Sequence, residues 1–223
     1  LEKIYEIISS RKGGQVITLN AEIAFQAQKD ETLRNLINGA DLVTPDGIGI
    51  IWGGRQLGYN FPERVTGIDL MVSLCRNAAD RGWKVFLFGA APGVAEAAAQ
   101  SLRRQFPGLL VAGCRHGYFS DDESTGIAKE IAALRPDILF VALGAPKQEY
   151  WIREQQDVMK IPLCMGVGGS FDVIAGVKNR APGWAIRLNL EWLYRLLAEP
   201  SRWKRQLALP SYVLAVKKAK WRR

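Results

Sequence analysis

A run of six apolar residues decides the fold: Ile138-Leu139-Phe140-Val141-Ala142-Leu143, followed at once by Gly144-Ala145-Pro146. A run of this length predicts a strand buried on both faces, and it is far shorter than the roughly 20 residues that span a bilayer. Five other β-rich runs alternate with helical stretches, at residues 15–20, 41–45, 84–89, 109–114 and 163–167. Apolar strands separated by helices predict a Rossmann-like α/β fold, with a parallel sheet and helices on both of its faces.

The positive charge of the chain is concentrated in its last fifth. The whole chain carries a formal net charge of +8, whereas residues 180–223 alone hold eleven Lys and Arg against two Glu, together with four of the seven Trp. We therefore predict a Rossmann-like catalytic domain at residues 1–180 and a basic, Trp-rich helical appendage at residues 181–223. Trp interleaved with Arg favours binding to an anionic membrane surface, and a solvated helical tail or an oligomer contact is the alternative.

Cysteine and histidine are scarce. Cys75, Cys114 and Cys164 are widely spaced in apolar or strand-like contexts, and His116 is the only histidine. The pattern predicts buried thiols in a reducing compartment, and it excludes a structural zinc site and any catalytic triad that needs histidine. The first residues, LEKI, lack the apolar core of a signal peptide, so we expect a cytoplasmic protein.

Glycine follows most of the predicted strands, at the edge of the sheet where such folds bind ligands. The loop at residues 89–93, GAAPG, opens a helix and could cradle a phosphate with its backbone N–H groups. It lacks the full GxGxxG spacing, and the next strand ends in Arg115 instead of the acid that a dinucleotide fingerprint requires. This weakens an oxidoreductase interpretation, although Arg115 would suit the extra phosphate of NADP.

A carboxylate stands at another strand end, in the stretch TPDGIG at residues 44–49. Pro45 and Gly47 flank Asp46 and shape the backbone on either side of its side chain. Because the flanking runs predict a crossover and not a hairpin, we interpret Asp46 as functional. Arg64 offers a cation near the same region.

The stretch GAPKQE at residues 144–149 ends one strand and begins a helix. Gln148 can donate and accept hydrogen bonds, which suits a hydroxyl-rich substrate such as a sugar. Glu149 lies in the first helical turn, where a partner of the helix dipole is expected. Ser120 and Glu123 have the spacing of a capping box and not of a metal site, and no DxD pair occurs in the sequence.

Six stretches, in order across residues 15–180, resemble the WecG/TagA/CpsF family of glycosyltransferases: VITLNAE at 16–22, TPDGIG at 44–49, RVTGID at 64–69, GYF at 117–119, GAPKQE at 144–149 and GVGGSFD at 166–172. Members of this family are inverting enzymes of bacterial cell-surface polymer assembly that use no metal. Typically they move N-acetylmannosamine from UDP onto polyprenyl-diphosphate-linked N-acetylglucosamine, as in the synthesis of the teichoic acid linkage unit. The chain starts later than usual members, so we expect a short N-terminal strand to be missing.

The resemblance also implies roles for individual residues. Asp46 would be the general base, and Thr18 and Gln148 would line the reacting centre. Asp172 would be directed at the uracil, and Arg64 would meet phosphate charge. The other residues that the resemblance assigns to substrate binding are Asn20, Gly117, Tyr118 and Gly144 for the UDP-sugar, and Arg195, Arg202 and Arg205 of the tail over the diphosphate.

The resemblance implies a UDP-sugar donor, a lipid-linked acceptor, no cofactor and no metal. With the basic tail, it places the protein on the inner face of the cytoplasmic membrane, and it favours a self-associating form that exchanges with a membrane-engaged monomer. Two other classes stay open at this point: a nicotinamide-dependent Rossmann-like oxidoreductase, and a nucleic-acid-binding module that uses the tail. Protection by UDP but not by NADP would separate the first from a glycosyltransferase. We do not expect nucleic acid as a partner.

Overall fold

The computed structural model describes residues 1–200, 203 and 207–221, with the backbone alone at Arg195. Its strands are β1 (Gly14–Leu19), β2 (Leu42–Pro45), β3 (Lys84–Gly89), β4 (Leu110–Arg115), β5 (Ile138–Ala142) and β6 (Leu163–Gly166). They form one sheet in the order β2-β1-β6-β5-β3-β4. The pairs β1–β6, β6–β5, β5–β3 and β3–β4 are parallel, which confirms the predicted Rossmann-like α/β fold. Each predicted strand agrees with the observed one to within one residue at either end.

The chain divides into two compact units. Unit 1 comprises Leu1–Ile17, Leu36–Val43 and Gly67–Lys178, and unit 2 comprises Thr18–Asn35, Thr44–Thr66 and Asn179–Arg223. Residues 181–223 thus share a unit with residues from the first third of the chain. The predicted division into a catalytic domain and a membrane-binding appendage stays a prediction.

Helices surround the strands. Those of unit 1 are α1 (Glu2–Ser10), α5 (Gly67–Arg81), α6 (Val94–Gln105), α7 (Ser124–Ala133), α8 (Lys147–Met159) and α9 (Ser170–Ile174). Those of unit 2 are α2 (Ala21–Gln26), α4 (Ile48–Gln56), α10 (Gly183–Arg187), α11 (Glu191–Ala198) and α12 (Ala208–Trp221). Helix α3 (Glu31–Asn38) begins in unit 2 and ends in unit 1.

The core of unit 1 forms around β5, whose residues are all buried. Apolar side chains of β3 and β5 pack against α7 and α8. The rings of Phe88 and Trp151 lie 4.6 Å apart between centroids, and the indole N–H of Trp151 donates to Ser124 Oγ at 2.8 Å. Burying Trp is favourable here because its one polar group keeps a hydrogen-bond partner.

The end of β5 holds the neighbouring strand-end loops in place. The Val141 carbonyl accepts from the Val167 N–H at 2.9 Å, and the Ala142 carbonyl accepts from the Ala90 N–H at 2.9 Å. The Ala90 carbonyl in turn accepts from the Gly117 N–H at 2.8 Å. The sheet order also changes direction here, since β3 connects to β4 on one side and β5 to β6 on the other. Open α/β sheets bind ligands at such a switch point.

The core of unit 2 includes the C-terminal helix. Tyr212 and Val216 of α12 are buried in a cluster with Ala21 of α2 and Ile50 of α4. The Tyr212 hydroxyl contacts the position where a side chain on Gly53 would begin, so α12 depends on this glycine for its close approach to α4. Burial raises the pKa of Tyr212. The last helix is therefore part of a folded core as well as a carrier of charge.

The three cysteines are free thiols, and two of them are buried as predicted, whereas Cys114 is not. Cys75 and Cys164 are buried, and burial raises the pKa of each to about 12. Cys114 is half-buried, and its pKa is raised to about 11, mainly by burial and also by the nearby charge of Glu96. None of the three is therefore an ionised nucleophile near neutral pH.

Candidate functional site

The residues predicted to bind substrate fall into two groups, one in each unit. Gly117, Tyr118, Gly144, Gln148 and Asp172 belong to unit 1, whereas Thr18, Asn20, Asp46 and Arg64 belong to unit 2. Arg202 and Arg205 lie outside the described residues, as does the side chain of Arg195.

The ends of β3, β4 and β5 bring Gly117 and Gly144 to the switch point of the sheet. A side chain on Gly117 would lie 2.7 Å from the side chain of Leu143 and 3.0 Å from the Gly89 Cα atom. Only glycine therefore permits this close packing of loops. Tyr118 follows with its ring 69% exposed, and an exposed aromatic ring at this edge can stack on a flat ligand group.

Gln148 is buried, and both ends of its amide are bonded within unit 1. Its Nε2 donates to Glu149 Oε1 at 2.8 Å, and its Oε1 accepts from the Gly168 N–H at 3.0 Å. A Cβ atom on Gly166 would lie 2.5 Å from the same Nε2. The side chain thus fixes the loop between β6 and α9, and its predicted place at the reacting centre stays a prediction.

The burial of Glu149 in the first turn of α8 is the feature of this unit that the sequence analysis missed. Its side chain is only 2% exposed, and its Oε2 atom has no hydrogen-bond partner among the described residues. Burial raises the pKa of this carboxyl, against the lowering effect of hydrogen bonds from Gln148 and from its own backbone N–H. The apolar residues Trp151, Ile152 and Met159 recur at helical spacing along α8 and are buried together with Glu149. Because Glu149 lies three positions before Ile152, this pattern could have revealed that the start of α8 faces the core.

Asp172 lies in the first turn of α9, after the loop that Gln148 fixes. Its Oδ2 is 3.8 Å from the Lys178 Nζ atom, and its backbone carbonyl accepts from the N–H groups of Val177 and Lys178 at 2.9 and 3.0 Å. These bonds close a tight turn after α9. The carboxylate is thereby held on a rigid segment, as recognition of a base would require.

In unit 2, Asn20 directly follows β1 and Asp46 directly follows β2. The Asn20 Oδ1 atom accepts from the Ile23 N–H at 3.0 Å and caps α2, so the side chain has a structural role beside its predicted one. The Asp46 N–H donates to the Leu19 carbonyl at 2.8 Å. Gly47 then adopts a positive φ of 86° and starts α4. This bond and this turn set the position of the Asp46 carboxylate.

Arg64 is held beside the same strand end and pairs with an acid of the C-terminal segment. The neighbouring Val65 N–H donates to the Pro45 carbonyl at 3.0 Å. The Arg64 Nη2 atom lies 3.7 Å from Glu191 Oε2, with both side chains mostly buried. This ion pair could not be predicted from the sequence, because the two residues are 127 positions apart. A phosphate that approached Arg64 would share its charge with Glu191.

A large, mainly apolar cavity of about 790 Å³ lies within unit 2, and Asp46 is in its wall. Apart from Tyr212, its polar members are Asn20, Glu22 and Asp46. The remaining lining residues are Ala21, Gly47, Ile48, Gly49, Trp52, Trp192, Leu196, Trp203, Leu207, Leu209, Pro210, Tyr212 and Val213.

Two kinds of feature are absent from the part of the chain that the structure describes. Within it, no group of three or more His, Cys, Asp or Glu residues is arranged to hold a metal ion. No helix there has the length and apolar character to cross a membrane. The acidic stretch at residues 120–123 forms the predicted capping box, in which the Ser120 N–H and Oγ each donate to Glu123 Oε2 at 2.8 Å.

The buried carboxyl of Glu149 predicts a pH-dependent stability. The unfolded chain loses this proton near pH 4.3, whereas the folded protein keeps it to higher pH. The free energy of unfolding therefore falls as pH rises from about 4.3 toward the folded pKa, by at most about 1.4 kcal/mol per pH unit. Glu149→Gln cannot ionise, so urea unfolding between pH 4.5 and 8 should show it gaining stability relative to wild type as pH rises.

Glu154→Gln is the matched control, because Glu154 is an exposed carboxylate on the same helix. The difference between wild type and Glu149→Gln should change with pH far more than the difference for this control. A difference that is constant across the range would contradict a raised pKa at Glu149.

The chain was compared with known proteins. A family profile described as "Glycosyl transferase WecG/TagA/CpsF family" matches residues 1–223. A protein of Bacillus spizizenii strain W23 is 40% identical over 218 residues, which cover 98% of this chain and 83% of that protein. A protein of Bacillus subtilis strain 168 is 39% identical over 98% of this chain and 84% of its own length. One of Staphylococcus aureus strain NCTC 8325 is 37% identical over 92% and 80%.

All three relatives are named N-acetylglucosaminyldiphosphoundecaprenol N-acetyl-beta-D-mannosaminyltransferase. The similarity covers nearly the whole chain and includes both groups of site residues. This similarity favours a glycosyltransferase over the two other interpretations, an oxidoreductase and a nucleic-acid-binding module. The chain belongs to the WecG/TagA/CpsF family and is a glycosyltransferase.

Proposed function

We propose that this enzyme transfers N-acetylmannosamine from UDP to N-acetylglucosamine linked through a diphosphate to a polyprenol, in the assembly of a cell-wall polymer such as the teichoic acid linkage unit. The observation that carries the proposal is the 37–40% identity to relatives whose names state this acceptor and this sugar. The UDP donor follows from the family resemblance. The fold supports it, since the switch point in unit 1 offers glycine loops and an exposed tyrosine to a nucleotide sugar.

The proposed reaction is a single displacement with inversion. The Asp46 carboxylate takes the proton of the acceptor hydroxyl, whose oxygen forms a bond to the anomeric carbon of the donor sugar. The bond from that carbon to the diphosphate oxygen breaks, and UDP leaves with the electron pair. One base and a means of stabilising the leaving charge are sufficient for this step. The position of Asp46 in a cavity wall supports its access to substrate.

Donor binding is proposed for Asn20, Gly117, Tyr118, Gly144 and Asp172, with Thr18 and Gln148 at the reacting centre. The leaving diphosphate is proposed to be stabilised by arginines, namely Arg64, Arg195, Arg202 and Arg205. Arg64 is the member of this set whose described side chain supports the proposal, because it is held beside the Asp46 strand end. Its ion pair with Glu191 would have to exchange for phosphate contacts.

The function and its base are tested in one assay. Purified enzyme with UDP-N-acetylmannosamine and a lipid-diphosphate-linked N-acetylglucosamine should yield the disaccharide product by mass spectrometry, and UDP-N-acetylglucosamine should not replace the donor. Asp46→Asn should bind UDP like wild type but lower kcat by about 10²–10⁴-fold, the usual contribution of general base catalysis.

Glu22→Gln is the matched control for Asp46→Asn, since Glu22 is the other carboxylate in the same cavity wall. It should keep kcat within a few-fold of wild type. Wild-type turnover by Asp46→Asn would remove Asp46 from the mechanism, and a large loss in Glu22→Gln alone would transfer the role of base to Glu22.

We also propose that the transfer needs no metal ion, as the family resemblance implies and as the absence of a DxD pair from the sequence supports. The rate in EDTA should equal the rate in added Mg²⁺ or Mn²⁺, because protein cations and N–H groups would stabilise the leaving diphosphate. A tenfold loss on chelation that Mg²⁺ restores would contradict this.

The C-terminal segment is proposed to bind the anionic inner leaflet of the cytoplasmic membrane. Near the end of α12, Lys217 and Lys218 are exposed, and Trp221 is 91% exposed. Lysine near an anionic membrane contributes about 1 kcal/mol, and Trp favours the headgroup region. Together with the four cations at residues 202, 204, 222 and 223, this charge is sufficient for reversible attachment.

The double variant Lys217→Gln and Lys218→Gln should bind anionic vesicles about 30-fold more weakly, since it loses roughly 2 kcal/mol. Cosedimentation at low salt measures this, and the difference should shrink at high salt. The control is Lys12→Gln with Lys129→Gln, two exposed lysines of unit 1. Equal weakening by both pairs would mean that only total charge matters and that α12 does not face the membrane.

A further inference from the structure

The cavity of unit 2 has walls whose chemistry does not match a nucleotide sugar. Trp52, Trp192 and Trp203 line it with several leucines, and its hydrogen-bonding groups are few. A UDP-sugar is rich in hydroxyl and phosphate oxygens, and apolar walls would leave these groups without partners. At about 790 Å³ the cavity is as large as ligand pockets usually are. The expected occupant is therefore a mostly apolar molecule.

The walls of this cavity are partly open to solvent. Trp203 is 53% exposed and Leu207 is 57% exposed, although both line the cavity. Exposed apolar surface of this kind around a cavity marks a binding site for an apolar group. Other parts of the wall are fixed, because Ala21, Trp52, Leu209 and Tyr212 line the cavity and also belong to the packed cluster of α2, α4 and α12.

The position of Asp46 identifies the apolar molecule. A base must come within hydrogen-bond reach of the hydroxyl that it deprotonates, so the acceptor has to reach the wall that Asp46 shares with the tryptophans. The acceptor in the names of the relatives consists of a sugar and a diphosphate joined to a long apolar polyprenol. We infer that this cavity binds the first isoprene units of the acceptor lipid, an inference that rests on the proposed function for the identity of the acceptor.

Leu196 and Leu197 provide a matched pair for testing the site. They are neighbours on α11, but Leu196 lines the cavity, whereas Leu197 does not and is 73% exposed. Leu196→Gln should weaken binding of the prenyl chain, because a polar amide replaces an apolar wall. Leu197→Gln makes the same chemical change outside the cavity. Trp203→Ala and Trp221→Ala form a second pair, with Trp203 in the cavity wall and the exposed Trp221 outside it.

The first experiment needs no catalysis. Farnesyl diphosphate, below its micelle-forming concentration and without vesicles or detergent, should shift the tryptophan fluorescence of the full chain to shorter wavelength, since three Trp line the cavity. Inorganic diphosphate should not cause this shift. Leu196→Gln should raise the Kd for farnesyl diphosphate about tenfold, the lower end of what an apolar leucine contact contributes, while Leu197→Gln keeps the wild-type Kd. Trp203→Ala should also raise the Kd for farnesyl diphosphate, whereas Trp221→Ala should leave this Kd unchanged. Thermal melting curves would show which variants are folded.

The second experiment compares two soluble acceptors, in which N-acetylglucosamine diphosphate carries either a farnesyl or a methyl group. Wild type should have a much lower KM for the farnesyl acceptor, and Leu196→Gln should remove about tenfold of that advantage without changing the methyl acceptor. Transfer with equal KM for both acceptors would overturn the inference and leave the proposed function intact. Farnesyl binding that depends on Leu196, in an enzyme that transfers no sugar, would support the inference and overturn the proposed function. Leu196→Gln and Leu197→Gln could also have equal effects that appear only when vesicles are present. That result would mean that this surface contacts the bulk membrane, and it would overturn the inference.

Discussion

The backbone bonds at the end of β5 are the constraint on which the arrangement of unit 1 depends. Val141 and Ala142 each hold a neighbouring loop through a carbonyl, and Ala90 extends the chain of bonds to Gly117. Because β5 is buried, these bonds are shielded from water and are costly to break. Gln148 then fixes the Gly168 loop from the following helix. The predicted site residues of unit 1 are thus held in place by backbone hydrogen bonds, which tolerate many side chains but few insertions.

The sequence predicted the strands closely because each is a continuous apolar run, and this signal is local. The strand order is not local, and no pattern indicated that β6 lies between β1 and β5. The same limit applied to the site. Asp46 and Asn20 could be found as strand-end residues, whereas the pair of Arg64 with Glu191 needed the folded chain. The burial of Glu149 could be predicted in part, because apolar residues recur at helical spacing along α8.

The C-terminal segment has two properties: it carries a basic, Trp-rich surface, and it contributes to the core of unit 2. Only the first could be seen in its composition. Its charge and exposed tryptophans suggested an appendage, yet Tyr212 and Val216 complete a core with Ala21 and Ile50. Removing the segment would expose that core and uncover part of the wall that carries Asp46. A shortened chain would therefore lose stability and the cavity together with the proposed membrane attachment. Point substitutions on the exposed face of α12 separate these effects, because they leave the buried face unchanged.

Glu149 and Asp46 are two carboxylates that could be considered for the role of base, and geometry decides between them. Glu149 has the raised pKa that often marks a catalytic acid or base. Yet its Oε1 atom accepts from Gln148, and the residue is only 2% exposed, so a substrate hydroxyl has no access to it. Burial raises the pKa of Glu149, and the hydrogen bond from Gln148 opposes that rise. Asp46 lines a cavity that is open to ligand, and access favours Asp46 as the proposed base.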